Sequence, residues 1–482
     1  MARRTCLAVF LTLAALLSEV PATVVLPNLK FGMTVAPRDA GLAVVAIDED
    51  APVGEKLQVG DVIVSYRVLG MLARPTSVRT NDQLEDAKKL LSEDKPVEIT
   101  LLRPNSNEDP NPRYQQLAIV LQASDFLREK VERTYSVTVQ APAAGPPEDR
   151  DTHVLMDVYY ATDRRLENGQ YSGAMDLSSS PTKLGVCRVS IPKSRDIGSL
   201  PRPSWWPTEW REDPAKHMLL KSVSQFDRDE LFFESISDML RRSDGKRRAL
   251  LYVHGYNNDF EEAALRTAQL HYDLGFPGVS CFFSWPSDGT MSGYKADEED
   301  VQVAVPHIQN FITDLESRSD IDEIVILAHS MGNRGVTSAI ADLASIGGGK
   351  KIRELVLAAP DINATVFNRQ IAPKLTKSVP RITLYASGRD RALALSDWLG
   401  GYSRAGEMEN SGRPAVTPLS NLDVLDVSLA DADLWGHSAY GDSPTVLHDL
   451  GELILDAKNA DRRSMLAPVN IPEGRFYRLK SK

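Results

Sequence analysis

At 482 residues the chain exceeds one typical domain, and 42% hydrophobic with 25% charged residues is an ordinary globular mixture, so two folded domains are expected. A net charge of −11 with a pI near 5.4 supplies no basic footprint for nucleic acid and disfavours adhesion to anionic membranes through bulk charge. Small molecules or proteins are the expected partners.

The N-terminus reads Met1-Ala2-Arg3-Arg4, then an apolar run from Cys6 to Leu17, then Ser18-Glu19-Val20-Pro21-Ala22. A basic start, a short apolar core and small residues at Val20 and Ala22 predict a secretory signal over 1–22, cleaved after Ala22. The uncharged run is short for a bilayer span, so the expectation is a periplasmic or secreted protein with no stable membrane span after cleavage. Cys187 and Cys281 then remain, each inside a predicted strand, as buried small hydrophobes rather than a disulfide scaffold. No Cys/His cluster has ligand spacing, so no metal is expected, and no organic cofactor is implied.

Residues 27–123 read as short strands around one helix. Strand patterns cover Leu29–Val35, Gly41–Asp48, Asp61–Val68, Val97–Arg103 and Tyr114–Leu121, and Asn81–Ser92 carries apolar residues at helical spacing. Within this β-rich domain the stretch from Leu42 to Val68 holds Ala51-Pro52 and then Leu57-Gln58-Val59-Gly60-Asp61-Val62-Ile63, and it resembles a bacterial PDZ domain. The resemblance implies capture of an extended peptide by strand addition, hence a protein or peptide partner, with Phe31, Gly32 and Met33 in the loop that holds the terminal carboxylate. Phe31 and Met33 read equally well as core residues at a strand start.

A charged, helix-like piece at Asp125–Arg133 and a Pro- and Gly-rich run at Gln140–Asp149 predict a linker over 124–151. The second domain is expected at 152–460, followed by a tail at 461–482. Its predicted strands are Val154–Tyr160, Leu184–Ile191, Ala249–Val253, Val279–Trp285, Glu323–Leu327, Glu354–Ala358, Arg381–Tyr385 and Asp423–Val427. Helices are predicted at Glu261–Leu274, Asp300–Leu315, Arg334–Leu343 and Ser443–Leu455. Eight strands alternating with helices predict an α/β fold with a mostly parallel sheet, and a serine turn after the fifth strand matches the α/β-hydrolase arrangement.

That turn is Ala328-His329-Ser330-Met331-Gly332, where an apolar strand ends and a helix begins. Small residues on either side of a serine let strand and helix backbones approach closely and lift the hydroxyl above the sheet, so Ser330 is the candidate nucleophile. Such a serine needs a base, a carboxylate to orient it, and backbone donors for the oxyanion. Asp390, after the seventh strand, is the candidate acid, with Asp361 after the sixth as the alternative. His437 follows the last strand and is the candidate base. The His254-Gly255-Tyr256 turn after the third strand offers the Tyr256 N–H, and Met331 offers the second donor. His254 and His329 are expected to fasten and pack these turns rather than to move protons.

The runs Tyr160-Ala161-Thr162-Asp163-Arg164, Val253-His254-Gly255-Tyr256-Asn257, Ser284-Trp285-Pro286-Ser287, Ala328-His329-Ser330-Met331-Gly332-Asn333, Ala359-Pro360-Asp361, Tyr385-Ala386-Ser387 and Gly436-His437-Ser438 resemble an uncharacterised family of bacterial α/β-hydrolases over about 153–456. The resemblance implies a serine-hydrolase fold and does not fix the substrate; with the candidate triad the expectation is a serine hydrolase, most simply one acting on small-molecule carboxylic esters. The alternative is a PDZ-containing scaffold whose hydrolase-like domain turns over little. Aromatics within Leu200–Gly245, among them Trp205, Trp206, Trp210, Phe226, Phe232 and Phe233, read either as a cap over an apolar acyl or aromatic pocket or as packing onto the sheet edge. Asp288–Asp300 reads either as an acidic pocket rim that disfavours anions or as a solvated face.

Overall fold

The structure, a computed structural model, describes residues 29–30, 33–38, 41–47, 56–58, 61–68, 76–77, 97–104, 114–121 and 127–128 of the first unit. Of the second it describes 135–139, 144–178, 182–202, 212–242, 246–287, 294–388, 402–409, 411–430 and 439–480. The two compact units divide between Arg133 and Thr134.

In the first unit an antiparallel sheet joins Met33–Arg38, Gly41–Ile47, Val62–Val68, Val97–Pro104 and Tyr114–Leu121 in that order, with Thr76–Ser77 pairing on Val62–Val68. Asp61 shows why a carboxylate sits at the strand start. It is buried, receives Arg103 Nε at 2.8 Å and Nη2 at 2.7 Å, and accepts the Gln58 N–H. A forked guanidinium satisfies both oxygens of a buried carboxylate at once. Leu127–Arg128, expected as part of a helix, is instead a strand paired with Leu29–Lys30. The predicted helix at 81–92 lies outside the described residues.

The second unit is built on one sheet with thirteen strands among the described residues. Eleven are labelled here: β1 (His153–Thr162), β2 (Lys183–Pro192), β3 (Leu219–Gln225), β4 (Arg248–Val253), β5 (Val279–Ser284), β6 (Glu323–His329), β7 (Ile352–Ala358), β8 (Ile382–Ala386), β9 (Leu422–Asp426), β10 (Leu466–Ile471) and β11 (Gly474–Leu479). They lie in the order β10-β11-β9-β8-β7-β6-β4-β5-β1-β2-β3, with Val137–Val139 beyond β3 and Glu148–Asp149 on β1. Along the run β11-β9-β8-β7-β6-β4-β5-β1 every neighbouring pair is parallel, whereas β1-β2, β2-β3 and β10-β11 are antiparallel.

The eight expected strands are all present, and five more extend the sheet. Residues 137–139 and 148–149, expected in a linker, and 466–479, expected in a tail, pair into it. Polar and proline-containing edge strands carry little hydrophobic alternation, and only the neighbouring strand reveals them.

β6 shows why the sheet is buried on both faces. Ile324, Ile326 and Ala328 join one hydrophobic cluster and Val325 and Leu327 the other, as a two-residue side-chain period requires. Helices α1 (Asp229–Arg241), α4 (Val305–Arg318) and α5 (Gly332–Ser345) supply the first cluster; α2 (Phe260–Leu274) and α6 (Pro444–Ile454) supply the second.

One expectation changes here, and one open alternative is decided. The single helix at 300–315 is two, α3 (Tyr294–Val303) and α4, because Pro306 in the first turn of α4 has no N–H to continue the preceding one. Of the two readings of the aromatic segment, packing holds for Phe226, Phe232 and Phe233: they are buried, and Phe232 meets both others edge-on at 5.6 and 5.0 Å between ring centroids. Their own helix, α1, carries two of them into the core. Trp205, Trp206 and Trp210 lie outside the described residues.

Candidate active site

The carboxyl ends of parallel strands meet at one edge, and sites on such sheets form where strand order reverses. Here β6 lies beside β4 rather than β5, so the turns after β4, β5, β6 and β7 converge. Three non-glycine residues with left-handed backbone mark these turns: Asn257 (φ 56°), Ser330 (φ 48°) and Ala359 (φ 44°). Such backbone is unfavourable for L-residues and collects at functional turns.

Ser330 is buried at the junction of β6 and α5. Its N–H donates to Ala358 O at 3.0 Å, and its carbonyl accepts the N–H groups of Asn333 (3.1 Å) and Asp361 (3.2 Å). The Asn333 side-chain amide donates to both Ser330 O and Ala358 O, at 2.9 and 3.1 Å, and clamps the ends of β6 and β7 together. Gly332 is required by contact: a Cβ there would stand 2.2 Å from His254 O. Gly255 is equally constrained, since its Cβ would lie 2.8 Å from Ser330 Cβ and 2.7 Å from His329 Nδ1. The turn that carries Tyr256 therefore packs directly on the serine. Met331 is buried and opens α5, so its N–H belongs to the helix's first turn, where donors lack intrahelical acceptors and the dipole is positive.

Behind this turn lies Arg164, whose role the sequence reading left unassigned. Its side chain is fully buried, and Nη2 donates to Asn258 O (2.7 Å), Nη1 to Ser287 O (2.9 Å) and Ser172 O (3.2 Å), and Nε to Ser284 Oγ (2.8 Å). One cation thus ties the turn after β4 to the turn after β5. The signal in sequence was a charged pair, Asp163-Arg164, directly after an apolar strand. His254 completes the layer. Its ring stacks on Trp285 at 5.0 Å, its nitrogens lie 2.8 Å from Gly255 O and 3.1 Å from Trp285 O, and the Trp285 indole N–H donates to His254 O. Burial first, then the nearby Arg164, pushes its pKa down to about 3, so the ring is neutral at pH 7 and fastens the turn. His329 packs against Tyr440, ring centroids 4.5 Å apart, and Tyr440 lies in the helical turn Ala439–Asp442.

The structure brings Ser330, Met331, Tyr256 and Asp361 together. Asp361 is buried, and its carboxylate faces Tyr294, whose hydroxyl donates to Oδ2 at 2.6 Å, and the cations Arg404 (3.3 Å) and Arg334 (3.6 Å). Arg334 Nε also donates to Asp361 O at 2.6 Å, and its guanidinium pairs with Glu298. A carboxylate held this way is a structural node between β7 and α5. Asp390 and His437 lie outside the described residues, as do Phe31 and Gly32; Met33 begins its strand. Of the segment expected as a pocket rim, Tyr294, Lys295 and Glu298 line a cavity, whereas Asp297 is buried and accepts the Ser287 hydroxyl. Residues 288–293 lie outside the described residues.

The second unit has the α/β-hydrolase fold, with its serine turn after the central β6. Residues 231–455 match the model of a family described as alpha/beta hydrolase of unknown function (DUF900). No curated protein matches the chain significantly. Among solved structures, a hyperthermophilic esterase from the archaeon Pyrobaculum calidifontis is 12% identical, with 63% of this chain and 83% of that one covered and a TM-score of 0.27. Brefeldin A esterase, a bacterial homologue of human hormone-sensitive lipase, is 12% identical over 66% of this chain and 79% of its own, with a TM-score of 0.28. The PDZ domain of a carboxy-terminal protease from Vibrio cholerae is 18% identical over 19% of this chain and 90% of its own, with a TM-score of 0.15. At these scores the likenesses carry no argument about function. Among the described residues no helix is long and apolar enough to cross a membrane.

Proposed function

We propose that the chain is an exported serine hydrolase that cleaves carboxylic esters through an acyl-serine intermediate. Ser330 Oγ attacks the ester carbonyl while His437 takes its proton, Asp390 orients the imidazole, and the Tyr256 and Met331 N–H groups hold the oxyanion. Collapse breaks the C–O bond to the alcohol, which leaves with the proton from His437. Water, activated by the same base, then releases the acid. The observation that carries this reading is Ser330 itself, in left-handed backbone between β6 and α5 with the Gly255 turn against its Cβ. Position supports the other two members. Asp390 follows Gly388, whose N–H donates to Ser428 Oγ at 2.7 Å beyond β8, and His437 precedes Tyr440, which rests on His329.

The test is labelling of the full chain by a fluorophosphonate probe. An adduct on wild type that is lost in Ser330→Ala, with labelling slowed at least roughly 10³-fold in His437→Asn, is expected. A folded wild type that never labels would sink the enzyme reading in favour of a scaffold. If Asp361→Asn abolished labelling while Asp390→Asn spared it, the acid would be reassigned. The signal-like residues 1–22 support export, which an N-terminus at Thr23 on protein recovered outside the cytoplasm would establish. The PDZ-like motif supports a peptide partner, and a C-terminal peptide library that finds no saturable ligand would remove it.

A further inference from the structure

We propose that the cavity lined by Tyr294, Arg334, Ile362 and Arg404, one contact away from the serine turn, is the substrate pocket and takes an ester carrying an oxyanion, carboxylate or phosphate, on a short apolar stem. The proposal rests on the serine-hydrolase reading and adds the substrate class. The cavity, about 440 Å³, has the size of a small-molecule site. Its walls come from α3, α5, the segment after β7 and residues 402–404 beyond β8. Two contacts join it to the reacting centre. Tyr294, in its wall, packs edge-on against Tyr256 with ring centroids 5.3 Å apart, and Asp361, which Tyr294 and Arg334 hold, donates its N–H to Ser330 O.

The lining chemistry has two parts. Ile362, Val366 and Ile371 present an apolar surface suited to a hydrocarbon stem. Lys295, Arg334 and Arg404 bring positive charge, and they outnumber the carboxylates of Glu298 and Asp361 by one. Arg334 is engaged by Glu298, Tyr294 and Asp361, and Asp361 holds both guanidinium groups in place, so an entering oxyanion meets the positive field of fixed cations together with the exposed Lys295. Weakly hydrated guanidinium charge favours carboxylate and phosphate oxygens over neutral groups, and Asn363 adds a neutral polar group to the same wall. Lys295 is exposed at the mouth, where a point charge draws an anion in.

The experiment uses the full chain and two readouts. In the first, calorimetry titrates adipate and, separately, inorganic phosphate into wild type, Lys295→Glu and Arg404→Gln. Saturable binding of at least one anion, weakened on the order of tenfold in Lys295→Glu, is expected; wild type that binds neither overturns the proposal. Should Arg404→Gln fail to fold, the exposed Lys295→Glu still decides. In the second, the p-nitrophenyl monoester of adipic acid is compared with p-nitrophenyl hexanoate, which has a methyl in place of the terminal carboxylate. A higher kcat/KM for the anionic ester, arising in KM and falling toward parity in Lys295→Glu, is expected, and a preference for the neutral ester overturns the proposal. Anion binding without fluorophosphonate labelling would remove the hydrolase reading and leave the pocket; labelling without anion binding would do the reverse.

Discussion

Gly332→Ala tests whether the serine turn depends on backbone contact. The added Cβ would stand 2.2 Å from His254 O and 3.0 Å from Val253 O, and both obstacles are main-chain atoms at the end of β4 that no rotamer change can clear. Relief requires α5 and the His254 turn to separate by roughly 1 Å, a displacement that at a reacting centre can cost about 10²-fold in rate. Overpacking of this kind destabilises by roughly 1–3 kcal/mol. The expected outcome is therefore a lower urea midpoint together with fluorophosphonate labelling slowed at least about 100-fold, because the Tyr256 and Met331 donors no longer converge. Gly451→Ala is the internal control. It lies within α6 with nothing inside 4 Å of the added Cβ, so the same change there is expected to stabilise by roughly 0.5–1 kcal/mol. A Gly332→Ala protein with wild-type midpoint and wild-type labelling rate would refute the close-approach reasoning.

Two further outcomes are expected. Arg164→Met keeps an apolar stem but withdraws the donors to Asn258 O, Ser287 O and Ser284 Oγ, so unfolding free energy should fall by roughly 2–4 kcal/mol and labelling should slow as the 256–258 turn loosens. An unchanged labelling rate in the folded variant would deny Arg164 a positioning role, and Arg164→Lys should not rescue it, since an ammonium lacks the fork. His254 supplies a pH test. Its folded pKa of about 3 is below the ordinary 6.5, so between these values the unfolded state binds the proton and stability is lost as pH falls. Acidification from pH 6.5 to 5 should therefore shrink the stability gap between wild type and His254→Asn by roughly 2 kcal/mol, read from urea midpoints; a gap that widened would contradict a neutral, buried ring.

Periodicity and turn chemistry made much of the second unit legible in the sequence: all eight expected strands are present, and the small-x-Ser-x-Gly run marked the elbow because only Gly332 fits against His254 O. Local pattern could not show which polar and charged groups meet across long separations. Arg164 reaches Asn258 and Ser287 from more than ninety residues away, and Asp361 meets Tyr294, Arg334 and Arg404, partners its sequence neighbours do not announce. The edge strands at 466–479 exist because β9 offers a free ladder, not because their own residues alternate strongly. Short-range constraints on backbone and hydrophobic period are written residue by residue. Charge pairing, edge pairing and the joining of Arg334 and Arg404 on Asp361 are decided only when the sheet brings distant turns to one edge.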